Sequence, residues 1–137
     1  MLNTYTVVHC APTAETFGKL RQLAGLSPRP SGAVSRALAA SCYVMHVLCE
    51  EEVIGMGRII GDGALNFEIV DIAVVPAHQG RGVGRLIMQD LMLWLSKHAE
   101  VGSYISLIAD VPELYRKFGF SSVGPKSEGM SLTWPPL

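Results

Sequence analysis

The sequence predicts a single α/β domain, residues 1–137, built around a mixed sheet. Three observations lead there. The chain has 137 residues, enough for one domain with a working core. Helical and strand periodicities interleave along it. Three strand-like runs, Cys42–Cys49, Val53–Ile60 and Asn66–Val75, stand consecutively in the middle. That run of strands excludes the doubly wound nucleotide-binding fold, in which helices separate the strands.

The elements follow in order. Thr4–Cys10 is rich in β-formers and reads as a strand. Ala14–Ala24 reads as a helix with Thr13 as N-cap and Phe17, Leu20 and Leu23 on one face. The prolines and glycines of Gly25–Gly32 end it, and a short helix over Ala33–Ala40 follows. Cys42–Cys49 and Val53–Ile60 flank the acidic turn Glu50–Glu52 as an antiparallel hairpin. Asn66–Val75 is nearly continuously apolar, the mark of a strand buried on both faces.

Beyond the glycines, Ile87, Leu91, Trp94 and Leu95 share one helix face, which Met88, Met92 and Leu93 widen. Tyr104–Ala109 is a further strand and Pro112–Phe118 a short helix stopped by Gly119. Asp110 is placed to cap that helix. Phe120–Val123 and Met130–Trp134 read as final strands.

Composition narrows the function. Eleven Lys and Arg against twelve Asp and Glu give a net charge of −1, without the basic stripe of a nucleic-acid binder. The longest apolar helix candidate, Leu86–Leu95, is broken by Gln89 and Asp90, so no membrane span is expected. The opening MLNTYTVVHC lacks the zones of a signal peptide. Cys10, Cys42 and Cys49 have no metal spacing and read as reduced, buried thiols of a cytoplasmic protein that holds no metal.

The stretch Gln79-Gly80-Arg81-Gly82-Val83-Gly84 enters a helix. Backbone N–H groups at a helix start lack intrahelical partners, and the dipole adds positive charge there. Glycines clear the approach, and Arg81 and Arg85 add formal charge, so an anion such as a pyrophosphate is favoured. A Walker A loop is absent. A G-x-G-x-x-G fingerprint fails from Gly80, which leads to Arg85, and from Gly82, which leads to Ile87. The pattern (Q/R)-x-x-G-x-(G/A) fits as Gln79, Gly82 and Gly84.

That pattern after Ile72-Ala73-Val74-Val75-Pro76, followed by Tyr115-Arg116-Lys117-Phe118-Gly119-Phe120 in a Y-x-x-x-G-F signature, resembles the GNAT superfamily of N-acetyltransferases. The resemblance covers essentially the whole chain and is strongest over Glu68–Phe120. It implies a mostly antiparallel sheet of six to seven strands with about four helices, splayed between the fourth and fifth strands.

It also implies acetyl-coenzyme A as co-substrate. Backbone groups of Ile72, Ala73 and Val74 would pair with the pantetheine arm, with a backbone N–H near Val74 polarising the acetyl carbonyl. Gln79, Gly80, Arg81, Gly82, Val83, Gly84 and Arg85 would form the pyrophosphate loop. Ala109 and Phe118 would line the opposite wall, beside Tyr115.

Acetyl transfer must neutralise the amine and protonate the departing thiolate. Tyr115 matches the family's acid, since a phenol with a pKa near 10 keeps its proton at neutral pH. Glu68 is the base candidate and a substrate-side group. It opens an apolar strand where a histone-acetyltransferase branch carries its catalytic glutamate. Asp71 points the other way on an ideal strand, unless a bulge intervenes, and is the lesser candidate beside water.

By the same resemblance Leu20–Leu38 shapes the acceptor pocket. Arg29, held extended between Pro28 and Pro30, can grip an acidic group, and Arg58 can face the cleft. The expected activity is direct acetyl transfer to a primary amine, most simply of a small molecule. The alternatives are a non-catalytic acyl-coenzyme A sensor and peptide or protein N-acetylation. The broad helix face and the tail Trp134–Leu137 would suit a homodimer.

Overall fold

The computed structural model describes residues 4–136, so Met1–Asn3 of the expected leader-free start and Leu137 of the expected dimer tail lie outside the described residues. The chain divides into two compact units, Met1–Leu107 and Ile108–Leu137.

The first unit carries the sheet. Its order is β1 (Thr6–Val8), α1 (Ala14–Leu23), α2 (Ser31–Ala40), β2 (Tyr43–Cys49), β3 (Glu52–Gly61), β4 (Asn66–Val74), a 3₁₀ turn at Pro76–His78, α3 (Val83–His98) and β5 (Tyr104–Ser106). The strands lie in the order β1-β2-β3-β4-β5. Neighbours are antiparallel except β4 and β5, which are parallel because α3 crosses between them.

The expected class is therefore met, with five strands among the described residues where six to seven were predicted. Phe120–Val123 and Met130–Trp134 form no strand, and every residue from Ser121 to Pro136 is exposed. Alternating apolar residues make a strand only where a partner supplies the ladder, and local pattern does not specify a partner. β5 also stops at Ser106, so Ala109 lies outside it and in the second unit.

Helices cover both faces of the sheet. On one side Phe17 and Leu20 of α1 and Val34 of α2 pack with Met56 and Ala73. Fully burying each large apolar side chain there contributes roughly 1.5–3 kcal/mol. Thr13 caps α1 as predicted, accepting from the Thr16 N–H at 3.1 Å. The predicted α1 face is corrected at one position: Leu23 is exposed, and Arg21, at i+4 from Phe17, is buried in its place.

On the other side α3 buries Val83, Ile87, Met88, Leu91 and Leu95, while Leu93 stays exposed and Trp94 is half-buried against Phe67 and Tyr43. Gly55 and Gly57 let α3 lie close to β3. A Cβ on Gly57 would stand 2.7 Å from Ile87 Cγ2, and one on Gly55 3.2 Å from Val83 Cγ1. The thiols also need correcting, since only Cys49 is buried; Cys42 is half-buried and Cys10 is exposed.

The second unit holds α4 (Pro112–Arg116), followed by a tail with no helix or strand among the described residues. Val111, not Asp110, occupies the N-cap, and no side chain caps α4. Gly119, at φ +92°, ends the following turn in the left-handed region that favours glycine.

Candidate functional site

The site begins with a bulge in β4. Val70 pairs with Arg58 and Ala73 with Met56, so Asp71 and Ile72 together face the single residue Gly57. Asp71 takes φ +57°, an uncommon backbone for a non-glycine residue. The bulge shifts the phase of the strand. Before it, the Leu65 carbonyl points to β5, where it accepts from the Tyr104 N–H at 2.8 Å. After it, the Val75 N–H points to β3 and donates to the Ile54 carbonyl at 2.9 Å. Peptide groups alternate edges, so those of Ile72 and Val74 face the edge on the β5 side.

The β4–β5 ladder, however, ends at Glu68 and Ser106. β4 runs on to Val74 without a β5 partner, which is the splay the sequence implied. The Val74 carbonyl on this edge accepts from the Gln79 side-chain amide at 2.9 Å. Gln79 thus ties the loop to the strand and leaves the Val74 N–H, like the peptide groups of Ile72, on the open edge. Ala73 is buried in the core, with its backbone turned to β3.

Past the 3₁₀ turn, Gly80 and Gly82 take φ +74° and +84° and nothing occupies the space where a Cβ would stand. Left-handed backbone there favours glycine, independently of any ligand. Gly82 is the N-cap of α3, and no side chain caps that end. The first N–H groups of α3, from Val83, Gly84 and Arg85, therefore stand without a capping side chain, with Arg81 and Arg85 exposed beside them. An uncapped sixteen-residue helix start and an unpaired strand edge, joined by one short loop, fit the pyrophosphate and the amide-rich arm of coenzyme A respectively.

Glu68 and Asp71 behave differently. Phe67 meets Trp94 of α3, so Glu68 points to the opposite face, and the bulge brings Asp71 to that face too. Asp71 is enclosed. Its two oxygens receive Arg21 from α1 and Arg58 Nε from β3, the latter at 2.8 Å, and its side chain is 6% exposed. With both oxygens taken up by guanidiniums and the side chain closed off from solvent, Asp71 is held as a structural tie and has no oxygen free for a substrate, which argues against it as the base. Arg58 also donates to Ser41 Oγ at 3.0 Å, so it braces β3 to the end of α2. Glu68 is half-buried and takes part in no ion pair among the described residues.

Sequence reasoning missed Arg21. Its Nη2 and Nε reach the Ser27 carbonyl at 2.7 and 3.2 Å, so one side chain links the β4 bulge to the loop between α1 and α2. The signal was present: Arg21, Arg58 and Asp71 are three charged residues at apolar positions of their elements. Burial lowers the Arg21 pKa from its ordinary value, against the opposing attraction of Asp71. A cavity of about 740 Å³ lies against α1 and this loop, lined among others by Phe17, Lys19, Arg21, Arg29 and Val34. Glu68 is not part of its lining.

In the second unit Tyr115 is half-buried, its ring edge-to-face with Phe120 at 6.5 Å between centroids. Burial, and then the negative charge of Asp110, push its phenol above the ordinary 10.0. Phe118 is likewise half-buried, and Ala109 is exposed.

Comparison with known proteins agrees with this geometry. Residues 40–122 match the model of the acetyltransferase (GNAT) domain. A structure from meticillin-resistant Staphylococcus aureus, described as a probable acetyltransferase, superposes with TM-score 0.91 and 39% identity, covering 96% of this chain and all of that one. The histone acetyltransferase TAP1 of Glycine max is 36% identical over 83 residues, 59% of this chain and 35% of its own length. An uncharacterized N-acetyltransferase of Porphyra purpurea is 33% identical over 102 residues, 70% of this chain and 58% of its own length. The chain thus spans about a third of the Glycine max relative and over half of the algal one. With bulge, open edge and uncapped helix joined in one loop, and a family model matched over most of its length, the chain belongs to the GNAT acetyltransferase family.

Proposed function

We propose that this protein transfers the acetyl group of acetyl-coenzyme A directly to a primary amine of a small molecule. The observation that carries the reading is the β4 bulge, which turns the peptide groups of Ile72 and Val74 to the open edge beside the uncapped start of α3. The pantetheine arm pairs with that edge as an added half-strand. The amides from Arg81 to Arg85 hold the pyrophosphate. The Val74 N–H donates to the acetyl carbonyl as charge develops there.

Three proton transfers remain. Glu68 takes the ammonium proton of the acceptor, directly or through water, because it is the carboxylate of this face that no cation holds. The neutral amine attacks the thioester carbonyl, the C–N bond forms, and the nitrogen gives its second proton to water as the C–S bond breaks. Tyr115 protonates the departing thiolate and regains a proton from solvent; its raised pKa keeps that proton available at neutral pH. Arg29 and the cavity at α1 receive the remainder of the acceptor.

Cys10 and Cys42 are free thiols that are not buried, and we assign the protein to a reducing, cytoplasmic compartment on that basis. A peptide acceptor is the second reading, favoured by the name of the Glycine max relative. Incubation with acetyl-coenzyme A and an amine panel tests the proposal by release of free thiol. Release with small amines and none with lysine peptides is expected. Release with peptides alone selects the second reading. Tight coenzyme A binding without release under any condition would identify a sensor.

A further inference from the structure

We propose that the acceptor amine also carries an anionic group, a carboxylate or a phosphate, which binds in the cavity against α1 through Arg29 and Lys19 with Arg21 behind them. This rests on the acetyltransfer reading above and names its substrate class.

The argument is one of charge and shape. The cavity is lined by three cations, Lys19, Arg21 and Arg29, and by one carboxylate, Glu15. Arg21 is 5% exposed, and the carboxylate that meets it, Asp71, is shared with Arg58. Two guanidiniums therefore share one carboxylate in the interior, leaving an excess positive charge against one wall of the cavity. A charge held away from water is poorly screened, so its field reaches a ligand in the adjoining space.

Arg29 is set up to use that field. Pro28 and Pro30 fix the backbone on either side of it, and its Nη1 donates to Ser27 Oγ at 2.8 Å. Arg21 holds the carbonyl of that same Ser27. Arg29 makes no other hydrogen bond among the described residues. Its remaining donors suit a bidentate partner, and carboxylate and phosphate both present two oxygens at the required spacing. A volume near 740 Å³ suits a small molecule. The same surplus of positive charge opposes polycationic acceptors, including lysine-rich protein tails and polyamines.

The test compares four amines of matched length: an ω-amino carboxylate, an aminoalkyl phosphate, the plain alkylamine and a diamine. Initial rates of thiol release and the melting temperature at saturating amine are read for each. At least one anionic amine is expected to show a kcat/KM roughly tenfold or more above the alkylamine, as a charge-assisted contact gives. The carboxylate and phosphate arms decide between the two anions. The diamine is expected to be the poorest. Arg29→Gln should bring the ratio between anionic amine and alkylamine toward one, and Arg29→Lys should recover part of it.

Melting shifts separate the two levels of the proposal. If no amine is acetylated, but anionic amines raise the melting temperature and Arg29→Gln removes the shift, the anion site stands and the acetyltransfer reading falls. If the alkylamine or the diamine equals the anionic amines in both measurements, the anion site is overturned.

Discussion

Arg21 and Asp71, fifty positions apart in sequence, meet as a hydrogen-bonded ion pair with each side chain 6% exposed. The pair joins the β4 bulge to the loop that borders the cavity against α1. Removing one partner strands a buried charge, which costs about 3–5 kcal/mol. Asp71→Ala is therefore expected to lower the free energy of unfolding by that order in a denaturant titration. Where enough folded protein remains, coenzyme A affinity should fall as well, because the bulge loses its anchor. Stability and affinity both equal to the parent would remove the pair from this account.

The left-handed Gly82 separates conformational from electrostatic effects. Nothing blocks a Cβ there, so Gly82→Ala pays only for its φ of +84°, roughly 1–2 kcal/mol. Gly82→Glu adds a negative charge at the helix start where the pyrophosphate is proposed to sit. Isothermal calorimetry should find coenzyme A binding weakened in the first variant and lost in the second. Equal affinity in the two would show that charge at this position does not matter.

Gly57 tests the closeness of α3 to the sheet. An added methyl meets Ile87 Cγ2 at 2.7 Å and Leu91 Cδ1 at 3.1 Å, both in the packed core. Gly57→Ala is expected to destabilise by about 1–3 kcal/mol, as overpacking does. A melting temperature unchanged from the parent would mean that α3 can move away at no cost.

Tyr115 carries a prediction about pH. Its phenol is pushed above the ordinary 10.0, so the acid role proposed for it would persist through neutral pH and be lost only as pH rises through that higher value. Tyr115→Phe should lower kcat by about 10²–10⁴ with little change in coenzyme A affinity. The alkaline limb of the rate profile should change in the same variant. Undiminished turnover would transfer the acid role to another group.

Asp62 predicts an acid sensitivity of the β3–β4 turn. Its Oδ1 accepts from the N–H groups of Ala64, Leu65 and Asn66 at 2.9, 2.8 and 3.1 Å, which lowers its pKa from 3.8 to about 2. A depressed carboxylate stabilises the folded state above its unfolded pKa and loses that effect as pH falls. The turn should loosen between about pH 3.8 and 2, read by amide exchange at Ala64 to Asn66. In Asp62→Ala the same amides should exchange faster already at neutral pH.

These features differ in how far the sequence revealed them. The apolar run of β4 marked that strand to within a residue of where it lies, and the spacing of Ile87, Leu91 and Leu95 marked the buried face of α3, because such patterns are local information. The glycine loop was legible for the same reason. The Arg21–Asp71–Arg58 cluster was not, since it is assembled from α1, β3 and β4: Asp71 reads alone as a lesser base candidate and Arg58 as a cleft residue, and no local pattern says that Arg21 meets them. A bulge beside Asp71 was weighed, but which edge Ile72 and Val74 face depends on the register with β3. The expected terminal strands failed for the matching reason, since alternation at Met130, Leu132 and Trp134 does not say what they pair with.

The most direct test is titration of the protein with coenzyme A and acetyl-coenzyme A in a calorimeter, alongside Gly82→Glu. Saturable binding of both ligands by the parent, absent in the variant, is the predicted result. No heat of binding from the folded parent, or equal binding by the variant, would contradict the site described for the β4 edge and the start of α3.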